Sequence, residues 1–147
     1  MKMKLMQETV ERIKTNINSI NGGYMKQNIY DDTEFSTQYD NLRMKEKGRN
    51  ANDLIEIPNF RKLMPEVKGK SILDLGCGYG ENDKFYKEQG AKYVLGIDIS
   101  EHMIEEANKE NKIDGIDFKV MEMEEISNIN YKFDIVMSSL AFHYIEN

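Results

Sequence analysis

Cysteine is nearly absent from this chain. Cys77 stands alone in 147 residues, so no disulfide framework can form within one chain, and a reducing compartment is the expected home. With that one cysteine and two histidines far apart, His102 and His143, no zinc site of the usual kind can be assembled. Proline is scarce, at Pro58 and Pro65. No apolar run is long enough to span a bilayer, and the first residues carry no apolar core of the signal-peptide type. The expectation is a cytoplasmic domain with no membrane partner. Positive charge is also in short supply: 20 Lys and Arg face 26 Asp and Glu, for a net charge of −6 and an isoelectric point near 5.0. No Lys/Arg cluster interrupts that balance, which argues against nucleic acid as a partner. At this length the prior is one domain.

What is present is organised around Ser71 to Glu81, S-I-L-D-L-G-C-G-Y-G-E. A short apolar run holding Asp74 meets Gly76, Gly78 and Gly80 at alternate positions, and a helix-compatible segment follows. The pattern predicts a strand, a glycine turn and a helix. Residues without a Cβ let backbone approach a ligand closely and reach positive φ cheaply. The helix start adds unpaired N–H groups and a positive dipole end. Two cofactor classes use such a turn. The dinucleotide fingerprint G-x-G-x-x-G requires its third glycine where this chain has Glu81. The spacing G-x-G-x-G after an acidic strand residue instead resembles the first motif of class I S-adenosylmethionine-dependent methyltransferases, of the small-molecule type. A carboxylate at 81 would sit badly beside a pyrophosphate and tolerably beside a cationic sulfonium.

Further segments carry the same resemblance, which covers about residues 25–147. Asn28 to Phe35 resembles the opening of the family's capping helix, with Tyr30 and Tyr39 as candidates to contact or lid the cofactor. Arg43 is placed to pair with a carboxylate, of the cofactor or of Asp40. Asn52 to Met64 reads as a helix broken near Pro58 and closed by Pro65. A short helix over 82–89 ends at Gly90. Tyr93 to Ile97 is the second strand, with Asp98 at its carboxyl end, where an acid accepts from both ribose hydroxyls. Ser100 fits the N-cap of the next helix, on which His102 is expected at the surface. Ile116 to Val120 is the third strand. By position in the family, Glu122 would accept from the adenine amine and the Met123 backbone would meet the ring. Phe133 to Ser138 reads as a buried fourth strand, with Ser138 beside the methionine end of the cofactor and His143 as the histidine near that pocket. Asp74 is expected to orient the turn or meet the cofactor amine.

The implied architecture is α/β, a Rossmann-like doubly wound sheet with strand order 3-2-1-4 and amino-terminal helices. Residues 1–24 read as a helical extension: Met6, Val10, Ile13, Ile17 and Ile20 form one apolar stripe ending at Gly22-Gly23. The alternative is that this stretch is untranslated sequence ahead of a start at Met25. Residues 25–67 read as a helical cap region and 68–147 as the cofactor-binding half of the family's seven-stranded fold. The resemblance implies transfer of a methyl group from S-adenosyl-L-methionine to a small-molecule acceptor. A fourth strand left at the sheet edge raises the alternative of a truncated fragment that self-associates without turnover. A nicotinamide-dependent reductase and a gene remnant complete the readings.

Overall fold

The computed structural model describes residues 31–49 and 52–139. The stripe over 1–24, Tyr30 and His143 lie outside the described residues. Helix α1 spans Thr33–Glu46 and is capped by Asp32, whose carboxylate accepts from Glu34 N at 3.1 Å and Phe35 N at 3.0 Å. A π-helical turn over Asn52–Glu56 runs directly into α2, Ile57–Leu63. The expected break at Pro58 is therefore a helix start. Proline sits in the first turn of α2, where its missing N–H has no intrahelical partner to lose.

Four parallel strands follow: β1 Ser71–Leu75, β2 Tyr93–Asp98, β3 Ile116–Val120 and β4 Ile135–Ser138. They lie in the order β3-β2-β1-β4, as the resemblance implies. Two helices carry the crossovers between the first three. Helix α3, Glu81–Glu88, starts at Gly80 and is followed by Gly90 at φ 93°. Helix α4, Glu101–Glu110, starts at Ser100, whose hydroxyl accepts from Met103 N at 3.2 Å. A 3-10 helix over Met123–Asn128 lies between β3 and β4.

Strand alternation sends successive residues to opposite faces. Ile72, Val94 and Ile116 pack one face with Tyr86 of α3, Val67, Ala91 and Met137. Leu73, Leu75, Leu95 and Ile97 pack the other with Met121, and with the half-buried Met123, Ile129 and Phe133. Central β1 is buried along its whole length. The fourth strand differs from its expected burial. It pairs with β1 through Ile72↔Ile135 to Leu75↔Ser138, yet Val136 is 59% exposed, because nothing among the described residues covers that part of its face. Asp134 anchors the strand's start, accepting from Ser71 N at 2.8 Å and Ser71 Oγ at 2.9 Å.

Candidate cofactor site

The strand ends of β1 and β2 meet at the glycine turn, where parallel α/β sheets place their ligand crevice. Gly76 and Cys77 both donate their N–H to Ile97 O, at 2.8 and 2.9 Å. Gly78 N donates to Asp98 Oδ2 at 2.9 Å and Gly80 N to Cys77 O at 3.0 Å. Four N–H groups of the turn are thus engaged inside the protein and do not form a phosphate cradle. The glycines serve different ends. A Cβ on Gly80 would lie 2.3 Å from Phe118 Cζ, so that position is closed by packing. A Cβ on Gly78 would meet Met103 Sδ alone, at 3.6 Å, so its far side is open to a ligand.

Asp98 ends β2 as expected. Its Oδ2 takes the Gly78 N–H and its Oδ1 takes the Ser100 N–H at 3.0 Å. A carboxylate offers about four acceptor sites, so a tie to the turn and acceptance from a hydroxyl are compatible. Burial raises its carboxyl above the ordinary value against the pull of those backbone bonds. Asp74 is 2% exposed and its Oδ1 has no hydrogen-bond partner among the described residues. Burial, then Asp83, pushes its carboxyl well above the usual range. Ser138 Oγ donates to Leu75 O at 3.1 Å, which fixes the end of β4 against the end of β1. Glu122 is exposed and forms a reciprocal cap with Glu125 at the start of the 3-10 helix. Met123 is half-buried against the second core face.

The segment before the sheet is latched onto the turn by contacts the sequence did not show. Tyr79 Oη donates to Asp40 Oδ1, and His102 Nε2 lies 2.9 Å from Asp40 Oδ2. The rings of Tyr79 and His102 meet edge to face at 6.4 Å. His102 is therefore half-buried between two segments, not on a free surface as expected. Arg43 pairs with Glu81 at 2.6 Å, not with Asp40, and its guanidinium lies 4.8 Å from the Tyr79 ring centre. Asp31 accepts from Ser100 Oγ at 2.7 Å and from His102 N at 3.2 Å. Tyr39 stacks on Phe35 with ring centres 6.2 Å apart. Among the described residues no group of His, Cys, Asp and Glu side chains is arranged to hold a metal, and no helix is long and apolar enough to cross a membrane.

The donor set fits a cationic nucleoside ligand better than a polyphosphate. Carboxyls of Asp74, Asp83 and Asp98 surround the turn, four of its N–H groups are taken, and Gly78 leaves room. Fold and turn together define a Rossmann-like nucleoside-binding domain.

Comparison with known proteins narrows the class. A family model described as a methyltransferase domain matches residues 72–147. An uncharacterized protein of Haemophilus influenzae is 38% identical over 128 residues, 83% of this chain and 50% of that protein. A ribosomal protein L11 methyltransferase of Thermotoga neapolitana is 33% identical over 73 residues, 50% of this chain and 28% of that one. The crystal structure of an S-adenosylmethionine-dependent methyltransferase from Mesorhizobium loti superposes with a TM-score of 0.56 at 37% identity, covering 67% of this chain and 44% of that chain. The chain belongs to the methyltransferase-domain family. It spans half or less of the length of these relatives.

Proposed function

We propose that this chain binds S-adenosylmethionine at the carboxyl ends of β1 and β2 and serves transfer of its methyl group to an acceptor. The observation that carries this is the turn: its backbone donors are engaged internally, its Gly78 face is open, and buried acids surround it. We assign Asp98 to the ribose hydroxyls, Gly76 and Gly78 to the methionine chain, Asp74 and Ser138 to its polar end, and Glu122 with the Met123 backbone to the adenine. The reciprocal Glu122–Glu125 cap positions that segment while leaving Glu122 at the surface.

When bound, the donor supplies a methyl carbon on a good, charged leaving group. The chain's own residues then have to bind and orient, and positioning accounts for much of the rate. Asp98 does both, since its carboxylate tethers the turn and faces the nucleoside. Tyr30 as a lid and His143 as a base belong to the same proposal. We take the acceptor to be a small molecule, since the net charge of −6 and the lack of a Lys/Arg cluster argue against nucleic acid. The relative from Thermotoga is named for a protein substrate, so a transfer assay offers both classes. Family membership favours the transferase over a fragment without turnover. Pairing of two copies through β4, with its exposed Val136, is a separate proposal; a monomer mass from small-angle scattering rejects it.

Calorimetric titration with S-adenosylhomocysteine tests the site. Wild type is expected to bind, and Asp98→Ala to lose binding while keeping a cooperative melt. A folded wild-type chain that takes no ligand refutes the assignment.

A further inference from the structure

A pair of carboxyl groups lies beneath the glycine turn, and the reading above uses one member of it. Asp74 projects from the sheet face that carries Ile72, and its register partner across the sheet is Gly96. Asp83 is the third residue of α3 and is fully buried. Both carboxyls lie beside Gly96, Asp74 as its register partner and Asp83 through its Oδ1. Asp74 Oδ1 and both Asp83 oxygens are enclosed with no donor from another side chain, and the Tyr86 hydroxyl beside them is also buried without a partner. Gly96 makes the room: a Cβ there would lie 2.6 Å from Asp83 Oδ1 and 2.9 Å from Cys77 Sγ. That places the pair directly under the turn.

Two neighbouring carboxylates, both out of water, resist ionising together, and one proton held between them relieves both. Asp83 is the better home for the remaining charge, because it lies in the first turn of α3. Other groups facing the pair are Asp98 from β2, Cys77 from the turn, and Tyr86 from α3, with Arg61 of α2 acting on Tyr86. The acids outnumber the single cation. Burial pushes Asp83 up to about 7 and holds Asp74 well above the usual carboxylate range.

Resting on the donor-site reading, we propose that Asp83 is a positioning residue. It shares one proton with Asp74 beneath the turn, and the single negative charge left on the pair favours the ammonium group of the donor's methionine chain, which S-adenosylhomocysteine also carries. Uptake of a second proton then weakens binding. The pair exchanges that proton with solvent and makes or breaks no other bond.

Two measurements on the 147-residue chain test this. Carboxyl-carbon NMR of the ligand-free protein should show one aspartate titrating near neutral pH and its partner holding its proton to higher pH. Both groups titrating below pH 5 overturns the proposal, whatever the ligand does. Calorimetry with S-adenosylhomocysteine should give roughly tenfold weaker binding at pH 6 than at pH 8, the limit for one proton taken up near neutrality. Asp83→Asn should bind with the same affinity at both pH values. Equal wild-type affinities, or a pH dependence that survives in Asp83→Asn, overturn the proposal. If Asp83→Asn does not fold, the wild-type comparison and the titration still decide. No binding at either pH refutes the donor site and the binding role together, and the carboxyl titration then decides the shared proton by itself.

Discussion

Exchanging a single hydrogen for a methyl at Gly78 and at Gly80 should separate ligand approach from packing. Both residues have positive φ, 55° and 74°, where a Cβ costs on the order of 1 kcal/mol. At Gly80 the new methyl would also lie 2.3 and 2.4 Å from Phe118 Cζ and Cε1. Phe118 packs against the first core face, so relieving that overlap moves packed atoms, at about 1–3 kcal/mol. Gly80→Ala should therefore lose ~2–4 kcal/mol. For a chain of this size that lowers the melting temperature by roughly 8–16 °C. At Gly78 the methyl meets Met103 Sδ at an ordinary 3.6 Å, so the loss should stay near ~1 kcal/mol, roughly 4 °C.

Binding should reverse the order. Gly78→Ala puts its methyl into the open side of the turn and should weaken S-adenosylhomocysteine at least tenfold, whereas folded Gly80→Ala should bind within a few-fold of wild type. The assays are thermal melts and calorimetry on the same preparations. Phe118→Leu in the Gly80→Ala background should recover at least ~1 kcal/mol of the expected sum, as residues in contact couple. Equal destabilisation by the two alanines, or unchanged binding in Gly78→Ala, would refute the division of labour within the turn.

Other consequences follow from the charged groups. Asp83 is raised in the folded state, so the native protein binds more protons than the unfolded chain between about pH 4 and 7, and stability falls as pH rises through that window. Thermal melts should be several degrees higher at pH 5.5 than at pH 8, and Asp83→Asn should flatten the difference; a wild-type melting temperature that rises across this range contradicts the buried pair. Asp134 has the opposite sign. Its carboxyl is held below the ordinary range first by the Ser71 N–H, so its stabilisation is present above the unfolded value and is lost as pH falls through the folded one. Asp134→Asn should destabilise at pH 7 and progressively less as the pH falls below 3.8, as read from urea midpoints. Asp40→Ala removes the acceptor of both Tyr79 and His102 and should cost ~1 kcal/mol. It should also speed limited proteolysis within α1; an unchanged digestion rate would mean that α1 is held by other contacts.

The sheet was legible because its signals are local. The apolar run of β1, the glycine turn, Asp98 closing β2 and the Ser100 cap each need only a few consecutive residues to be recognised. The contacts around the turn were not legible in this way. Tyr79 and Asp40 are 39 positions apart, His102 and Asp40 are 62, and Ser100 and Asp31 are 69. No periodicity links such residues, so His102 looked like a surface histidine and Arg43 had two plausible acids, neither of them Glu81. Asp83 was missed for a different reason: an acid in the first turn of a helix is ordinary on dipole grounds. Its signal was spacing, since Asp83 and Tyr86 share one face at i, i+3, and that face is the buried one. The break expected near Pro58 is the change from a π-helical turn to an α-helix that opens at Ile57 with this proline in its first turn.

Glu81 shows why the turn's missing third glycine is consistent with the rest of the site. A carboxylate in the first turn of α3 is stabilised by the helix's own N-terminal field and would compete with any phosphate for that position. Here it is held by Arg43 of α1 at 2.6 Å, so the acid that disqualifies a pyrophosphate also fastens the amino-terminal helix beside the turn. The same logic extends to Asp98, which takes the Gly78 N–H, and to Ile97 O, which takes two more. With four of its donors satisfied from within, the turn selects its ligand chiefly by the space beside Gly78 and by the sign of the surrounding charge. On the proposed donor-site reading, both favour a compact cation bearing a nucleoside. Glu81→Gly would therefore restore the dinucleotide spacing without creating a dinucleotide site, because the four engaged N–H groups would remain engaged.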